Sequence, residues 1–178
     1  MTTHTAPKVV TALPGPNGKR VLEKDAKYMS PSYTRCYPLV VSRAQGMWVE
    51  DVDGNVFLDF TSGVAVCATG HSHPKVVAAI EDQARRFVHM AGTDFYYAQQ
   101  ADLAERLAQI TPGSFPKRVF LTNSGAETVE AAIKLARYAT RRPRMIAFYG
   151  AFHGRTMGAL SLTASKAVQR RHFAPLLS

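Results

Sequence analysis

Ser124, Gly125 and Ala126 sit where a short apolar run, Val119-Phe120-Leu121, hands over to an amphipathic helix. Backbone N–H groups at such a helix start lack intrahelical partners. They face outward along the positive end of the helix dipole, an arrangement that suits a phosphate. The same residues also spell an ordinary capping box, Ser124-x-x-Glu127, in which two side chains serve the helix start and no ligand is needed. Local chemistry leaves both readings open. A second loop, Gly150 to Thr156, offers an aromatic face at Phe152, an imidazole at His153 and a guanidinium at Arg155. Taken singly, Phe152 reads as core and Arg155 as surface. Taken together, the two loops supply partners for a phosphate, a flat ring and a carboxylate.

Three near-matches fail. Gly150-x-x-x-Gly154-Arg155-Thr156 is one residue too short for a P-loop and has arginine where that motif needs lysine. Thr163-Ala164-Ser165-Lys166 approaches the S-x-x-K of acyl-transfer enzymes, but its partner motifs are missing. His71-x-His73 has no further ligand at a spacing that suits zinc. Phosphate, ring and carboxylate remain, and these are the three groups that pyridoxal phosphate carrying an amino acid presents.

The elements that must hold these loops follow from periodicity. Val119–Thr122 reads as a buried strand. A helix over about Glu127–Thr140 has Val129, Ala132, Ile133 and Ala136 on one face and Lys134 and Arg137 on the wet side. Met145–Tyr149 reads as the next strand. Strand, turn, helix, strand is α/β grammar, with ligand loops at the carboxyl ends of strands. Upstream, residues 1–19 form a polar lead-in ending in Pro14-Gly15-Pro16-Asn17-Gly18, and Arg20 to Met29 suits a short helix. Leu39–Val41, Met47–Val49 and Val56–Phe60 alternate as strands, with Asp53-Gly54 a hairpin signal, so a small antiparallel sheet is predicted. Pro74 opens a helix striped by Val77, Ile80, Ala84 and Phe87. Another runs from about Gln99 to Ile110, with Leu103 and Leu107 inside, and stops at Thr111-Pro112-Gly113.

The 178 residues are 46% hydrophobic and 20% charged, which suits a globular chain with a core rather than a disordered one. No apolar run reaches membrane-spanning length, and the first residues lack a secretory signal, so a cytoplasmic setting without membrane contact is expected. Cys36 and Cys67, in no paired motif, read as buried free thiols. The net charge of +9 is concentrated late. Residues 1–89 hold 10 Lys/Arg against 8 Asp/Glu, residues 90–178 hold 12 against 5. With no nucleic-acid motif in that half, its charges read as a solvated face, and no nucleic-acid partner is expected.

An ordered set of motifs carries a family resemblance. Asp51-Val52-Asp53-Gly54, Leu58-Asp59-Phe60-Thr61-Ser62-Gly63, Gly70-His71-Ser72-His73-Pro74, Asn123-Ser124-Gly125-Ala126-Glu127 and Ala151-Phe152-His153-Gly154-Arg155-Thr156 follow one another along the chain. Together they resemble the class III pyridoxal-phosphate aminotransferases, the group of 4-aminobutyrate, ornithine and acetylornithine aminotransferases with some amino-acid racemases. The resemblance implies an incomplete fold type I, aspartate-aminotransferase-like architecture. Residues 1–70 would give the N-terminal segment with its small antiparallel sheet, and residues 71–178 the first part of the large α/β domain. It also implies pyridoxal 5'-phosphate as cofactor, amino-acid and 2-oxo-acid substrates, and a homodimer or higher homo-oligomer at full length. By the same resemblance, Ser124, Gly125 and Ala126 would hold the cofactor phosphate, Phe152 would stack on its ring, and His153 would sit beside it. Arg155 would approach a substrate carboxylate and Val64 would help wall the pocket.

The departure is as telling. In that family one lysine forms the Schiff base with the cofactor, and none of Lys8, Lys19, Lys24, Lys27, Lys75, Lys117, Lys134 and Lys166 matches its position. No catalytic residue is therefore assigned, and the chain is expected to be an N-terminal portion, inactive alone, of a protein more than twice as long. In such a fold later strands separate the first two, so Val119–Thr122 and Met145–Tyr149 should not pair. The expected activity is transfer of an amino group from an ω-amino acid such as 4-aminobutyrate or ornithine to a 2-oxo acid. Racemization on the same cofactor, an inactive fragment and a basic binding module are the alternatives.

Overall fold

A computed structural model describes residues 4–33 and 35–177. The chain divides into two compact units, Met1–Ala91 and Gly92–Ser178.

In the first unit, helix α1 (Pro16–Tyr28) starts earlier than its periodicity suggests, inside the predicted lead-in. The cause lies far along the chain. Asp53 accepts from the Asn17 amide at 2.8 Å and the Gly18 amide at 2.7 Å, capping the helix from the hairpin turn, while Pro16 needs no partner at the first helical position. Gly15 makes room for this, since a Cβ there would fall 2.4 Å from the Asp53 carboxyl carbon.

Strands β1 (Val41–Gln45), β2 (Trp48–Asp51) and β3 (Val56–Leu58) form an antiparallel sheet in that order. Val49 faces Ala44 on one side and Phe57 on the other, and a bulge falls between Val41 and Arg43. The first strand lies later than the predicted Leu39–Val41. The β2–β3 turn is the Asp53-Gly54 hairpin, with Gly54 at φ +84°. Asn55, fully buried, ties the N-terminal segment to this turn. Its Oδ1 accepts from the Val10 and Thr11 amides, and its Nδ2 donates to Thr11 Oγ1 and Asp51 Oδ2. Burial pushes the Asp51 carboxyl up, but hydrogen bonds from Asn55 and from the Asp53 and Gly54 amides outweigh it and hold it below its ordinary value.

After β3 comes a single turn, α2 (Ser62–Ala65), that winds left-handed: φ is +49° at Ser62, +65° at Gly63, +64° at Val64 and +61° at Ala65. Residues with a Cβ pay roughly 1–2 kcal/mol each for that conformation. Helix α3 (Pro74–Arg86) closes the unit.

The second unit holds α4 (Ala98–Ile110), α5 (Gly125–Thr140), α6 (Met157–Leu162) and a 3-10 turn at Ala167–Gln169. Its core lies where α5 meets α6, around Ile133, Ala159 and Leu160. The predicted strands Val119–Thr122 and Met145–Tyr149 join no ladder among the described residues, and no hydrogen bond links them to each other. Expected burial fails in several places. Phe120 is 77% exposed, Leu103 and Ile80 are exposed, Leu107 is only half-buried, and Ala132 on α5 lies open. Cys36 is exposed and Cys67 half-buried, so neither thiol is in a core. For the helical residues the physical reason is that an apolar stripe marks a face suited to burial without saying what will cover it. No helix among the described residues is long and apolar enough to cross a membrane.

Candidate functional site

Ser124 is the N-cap of α5 in extended backbone (φ −152°, ψ 160°), and its Oγ accepts from the Glu127 amide at 3.3 Å. Glu127 reaches back to accept from the Asn123 amide at 2.7 Å. Thr122 Oγ1 and Thr128 Oγ1 share a hydrogen bond at 2.6 Å, and the hydroxyl that accepts in it donates to the Ser124 carbonyl, 3.1 Å from either. The capping reading and the anion reading therefore coexist. The cap occupies the amide of the third helical residue, while the amides of the first and second, Gly125 and Ala126, have no hydrogen-bond partner among the described residues. A Cβ built on Gly125 would meet no atom within 4 Å. Two unpartnered amides at the positive end of a 16-residue helix, the first on an exposed glycine with open space about its Cα, form a cradle that an anionic group fits.

The second loop is locked against the same helix. Gly154 has φ +127°, and a Cβ on it would fall 2.8 Å from Ala126 Cβ and 3.0 Å from Ala126 Cα, so only glycine lets the loop approach this close. Thr163, fully buried, holds the loop from behind: its Oγ1 accepts from the His153 amide at 2.9 Å and lies 2.9 Å from the Gly154 carbonyl, to which it donates. The Ala164 amide donates to the Ala151 carbonyl at 2.8 Å. Phe152 is 55% exposed, His153 half-buried, and Arg155 exposed with no ion pair among the described residues.

Glu130, on α5, accepts at one oxygen, Oε1, from Thr156 Oγ1 at 2.6 Å, the Gly158 amide at 2.9 Å and the Ala159 amide at 3.1 Å. It thus supplies the N-cap that Thr156 does not provide to its own helix α6. The Thr156 hydroxyl, opposed by burial and helped by the Ala159 and Gly158 amides and by Lys134, holds its carboxyl below the ordinary value.

Of the residues predicted to act, Ser124, Gly125 and Ala126 form one cluster, brought to the Phe152–Arg155 loop through the Ala126–Gly154 contact. Val64 lies in the first unit, 88% exposed, in the strained α2 turn. That turn hangs from Asp59, whose Oδ1 accepts from Thr61 N, Thr61 Oγ1 and Ser62 N at 2.7–2.9 Å, and whose Oδ2 meets His71 Nε2 at 2.6 Å. These bonds, that from His71 first and those from Thr61 next, hold the Asp59 carboxyl far below its usual range. A cleft of about 720 Å³ in the first unit, walled by Met47, Trp48, Pro74 and Val77, contains none of the predicted site residues. Sequence reasoning missed Glu130, Thr163 and Asp59. Glu130 carried one usable signal: it lies four residues after Ala126, hence on the same helix face.

The aminotransferase class-III family model matches residues 28–178. The chain is 39% identical over 172 residues to an alanine/serine racemase of Pyrococcus horikoshii, covering 96% of this chain and 36% of that one. It is 47% identical over 159 residues to an acetylornithine aminotransferase of Methanosarcina acetivorans (89% and 38%) and 42% identical over 168 residues to a 4-aminobutyrate aminotransferase of Mycobacterium tuberculosis (94% and 37%). It thus spans little more than a third of the length of these relatives. The crystal structure of the taurine:2-oxoglutarate aminotransferase from Bifidobacterium kashiwanohense, in complex with PLP and glutamate, superposes with a TM-score of 0.77 at 29% identity, over 91% of this chain and 35% of that one.

Proposed function

The chain belongs to the class-III aminotransferases, and from that membership we propose that the full-length protein moves an amino group from an amino acid to a 2-oxo acid with pyridoxal 5'-phosphate bound at the start of α5. One observation carries this assignment: the Gly125 and Ala126 amides have no hydrogen-bond partner among the described residues, and the Ala126–Gly154 contact sets them beside the Phe152–Arg155 loop. Ser124, Gly125 and Ala126 would hold the phosphate, with Phe152 against the ring and His153 at its side. When bound, the cofactor supplies an electron sink for the bonds at the amino-bearing carbon. The protein's own part is to bind and orient. Arg155, exposed and without an ion pair among the described residues, is free to take a substrate carboxylate in a two-pronged contact. No lysine of this chain is assigned to the cofactor, and the 178 residues alone are not expected to turn over substrate.

The proposed donor is an ω-amino acid, 4-aminobutyrate or ornithine, a choice supported by the mycobacterial relative. Racemization is the second reading, supported by the racemase relative that aligns with 96% of the chain. We assign residues 1–70 to the N-terminal segment and 71–178 to the start of the large domain, in a cytoplasmic protein that at full length is a homodimer or higher homo-oligomer. The test is a cofactor and substrate series on the full-length protein. Pyridoxal 5'-phosphate should bind far more tightly than pyridoxal, and 4-aminobutyrate or ornithine should bleach its absorption band until a 2-oxo acid restores it. Conversion of one enantiomer of alanine or serine into the other, without that bleaching, would instead establish racemization. Equal affinity for pyridoxal and its phosphate would refute the cradle.

A further inference from the structure

We propose that Glu130 is a positioning residue, a carboxylate on the cofactor helix that fixes where Arg155 is presented. This rests on the assignment of Arg155 to the substrate carboxylate made above. Arg155 stands between two anchors on a single face of α5. On one side, Gly154 packs against Ala126 and its carbonyl accepts from Thr163. On the other, Thr156 donates to Glu130, which also takes the Gly158 and Ala159 amides. Ala126 and Glu130 are four residues apart, so both anchors belong to successive turns of one helix. The backbone of Arg155 is thus held before and after, while its side chain stays exposed. A carboxylate is well suited to the task because a single oxygen gathers three donors, and those bonds are charge-assisted. Gly158 is part of the fit: a Cβ there would collide with both carboxylate oxygens of Glu130. Without Glu130 the Ala126 anchor remains and the Thr156 anchor is lost, so the loop is free to pivot about Gly154 and carry the guanidinium away from its place.

The test uses the full-length protein with bound pyridoxal 5'-phosphate, an ω-amino acid donor (4-aminobutyrate first) and 2-oxoglutarate. Glu130→Ala should raise the donor KM about tenfold or more, the scale of misplacing a contact by about 1 Å, and lower kcat by less than about threefold. Glu130→Gln keeps an oxygen for the three donors and should recover most of the loss. In an Arg155→Ala background, Glu130→Ala should add less than about threefold, because the group it positions is already gone. Additive losses in the two backgrounds, or a loss expressed only in kcat, would overturn the positioning role. If Glu130→Ala does not fold, Thr156→Val removes one of the three bonds and should raise KM in the same direction, vanishing in the Arg155→Ala background; an unchanged KM would overturn the role. A wild-type protein that binds the cofactor phosphate no better than pyridoxal and transfers no amino group would overturn the functional assignment beneath it, a result distinct from an active protein indifferent to Glu130.

Discussion

Replacing Gly154 by alanine should break the contact between the two loops, and the size of the effect follows from two terms. At φ +127° a residue with a Cβ is strained by about 1–3 kcal/mol. The new Cβ would also stand 2.8 Å from Ala126 Cβ, 3.0 Å from Ala126 Cα and 3.1 Å from Ala159 Cβ, well inside normal contact, and such overpacking costs about 1–3 kcal/mol. The neighbours on the Ala126 side are helix backbone and a methyl group, which have no rotamer through which to yield. The expected loss is therefore roughly 2–6 kcal/mol unless the loop lifts from α5, in which case cofactor affinity falls instead. Gly125→Ala is the matched control: its Cβ would meet nothing within 4 Å and its backbone is not left-handed, so stability should stay within about 0.5 kcal/mol. Urea unfolding of the full-length protein, paired with spectroscopic titration of pyridoxal 5'-phosphate, reads both outcomes. A Gly154→Ala protein as stable and as well loaded as wild type would refute the interlock.

Thr163→Val keeps the shape but strands the His153 amide and the Gly154 carbonyl, and should cost about 1–3 kcal/mol in the same unfolding assay. Val64→Gly removes a left-handed strain of about 1–2 kcal/mol against a glycine entropy cost of about 0.5–1 kcal/mol, so stability should hold or rise slightly in the same unfolding assay. Because the folded pKa of Glu130 lies below the ordinary 4.5, its contribution is complete above that value and is lost as pH falls through the folded pKa. Amide exchange at Gly158 and Ala159 should thus stay protected at neutral pH and become faster than pH alone dictates once the solution falls well below 4.5, a change absent in Glu130→Gln.

Much of the site was legible because its signals are local. The helix after Ser124 and the hairpin at Asp53-Gly54 are set by backbone sterics and capping within a few residues, and both stand where they were read, the helix starting two residues early. Burial was read less well. The stripes on α3 and α4 have the right period, yet Ile80 and Leu103 lie in the open, because period says which face wants a partner and not what covers it.

Turn chemistry, helical period and the ordered Asn-Ser-Gly-Ala-Glu and Phe-His-Gly-Arg-Thr motifs were settled by the sequence alone, and with them the family. Tertiary structure decided which distant groups meet. Asp53 caps a helix 35 and 36 residues before it, Asn55 gathers a segment 44 and 45 residues away, and Glu130 holds a loop 26 to 29 residues downstream. A polar side chain at any of those positions looks like a solvated surface group in a one-dimensional reading. Its role exists only once the chain folds back and unpaired amides arrive within hydrogen-bond reach, where leaving them unmet would cost more than ordering the side chain.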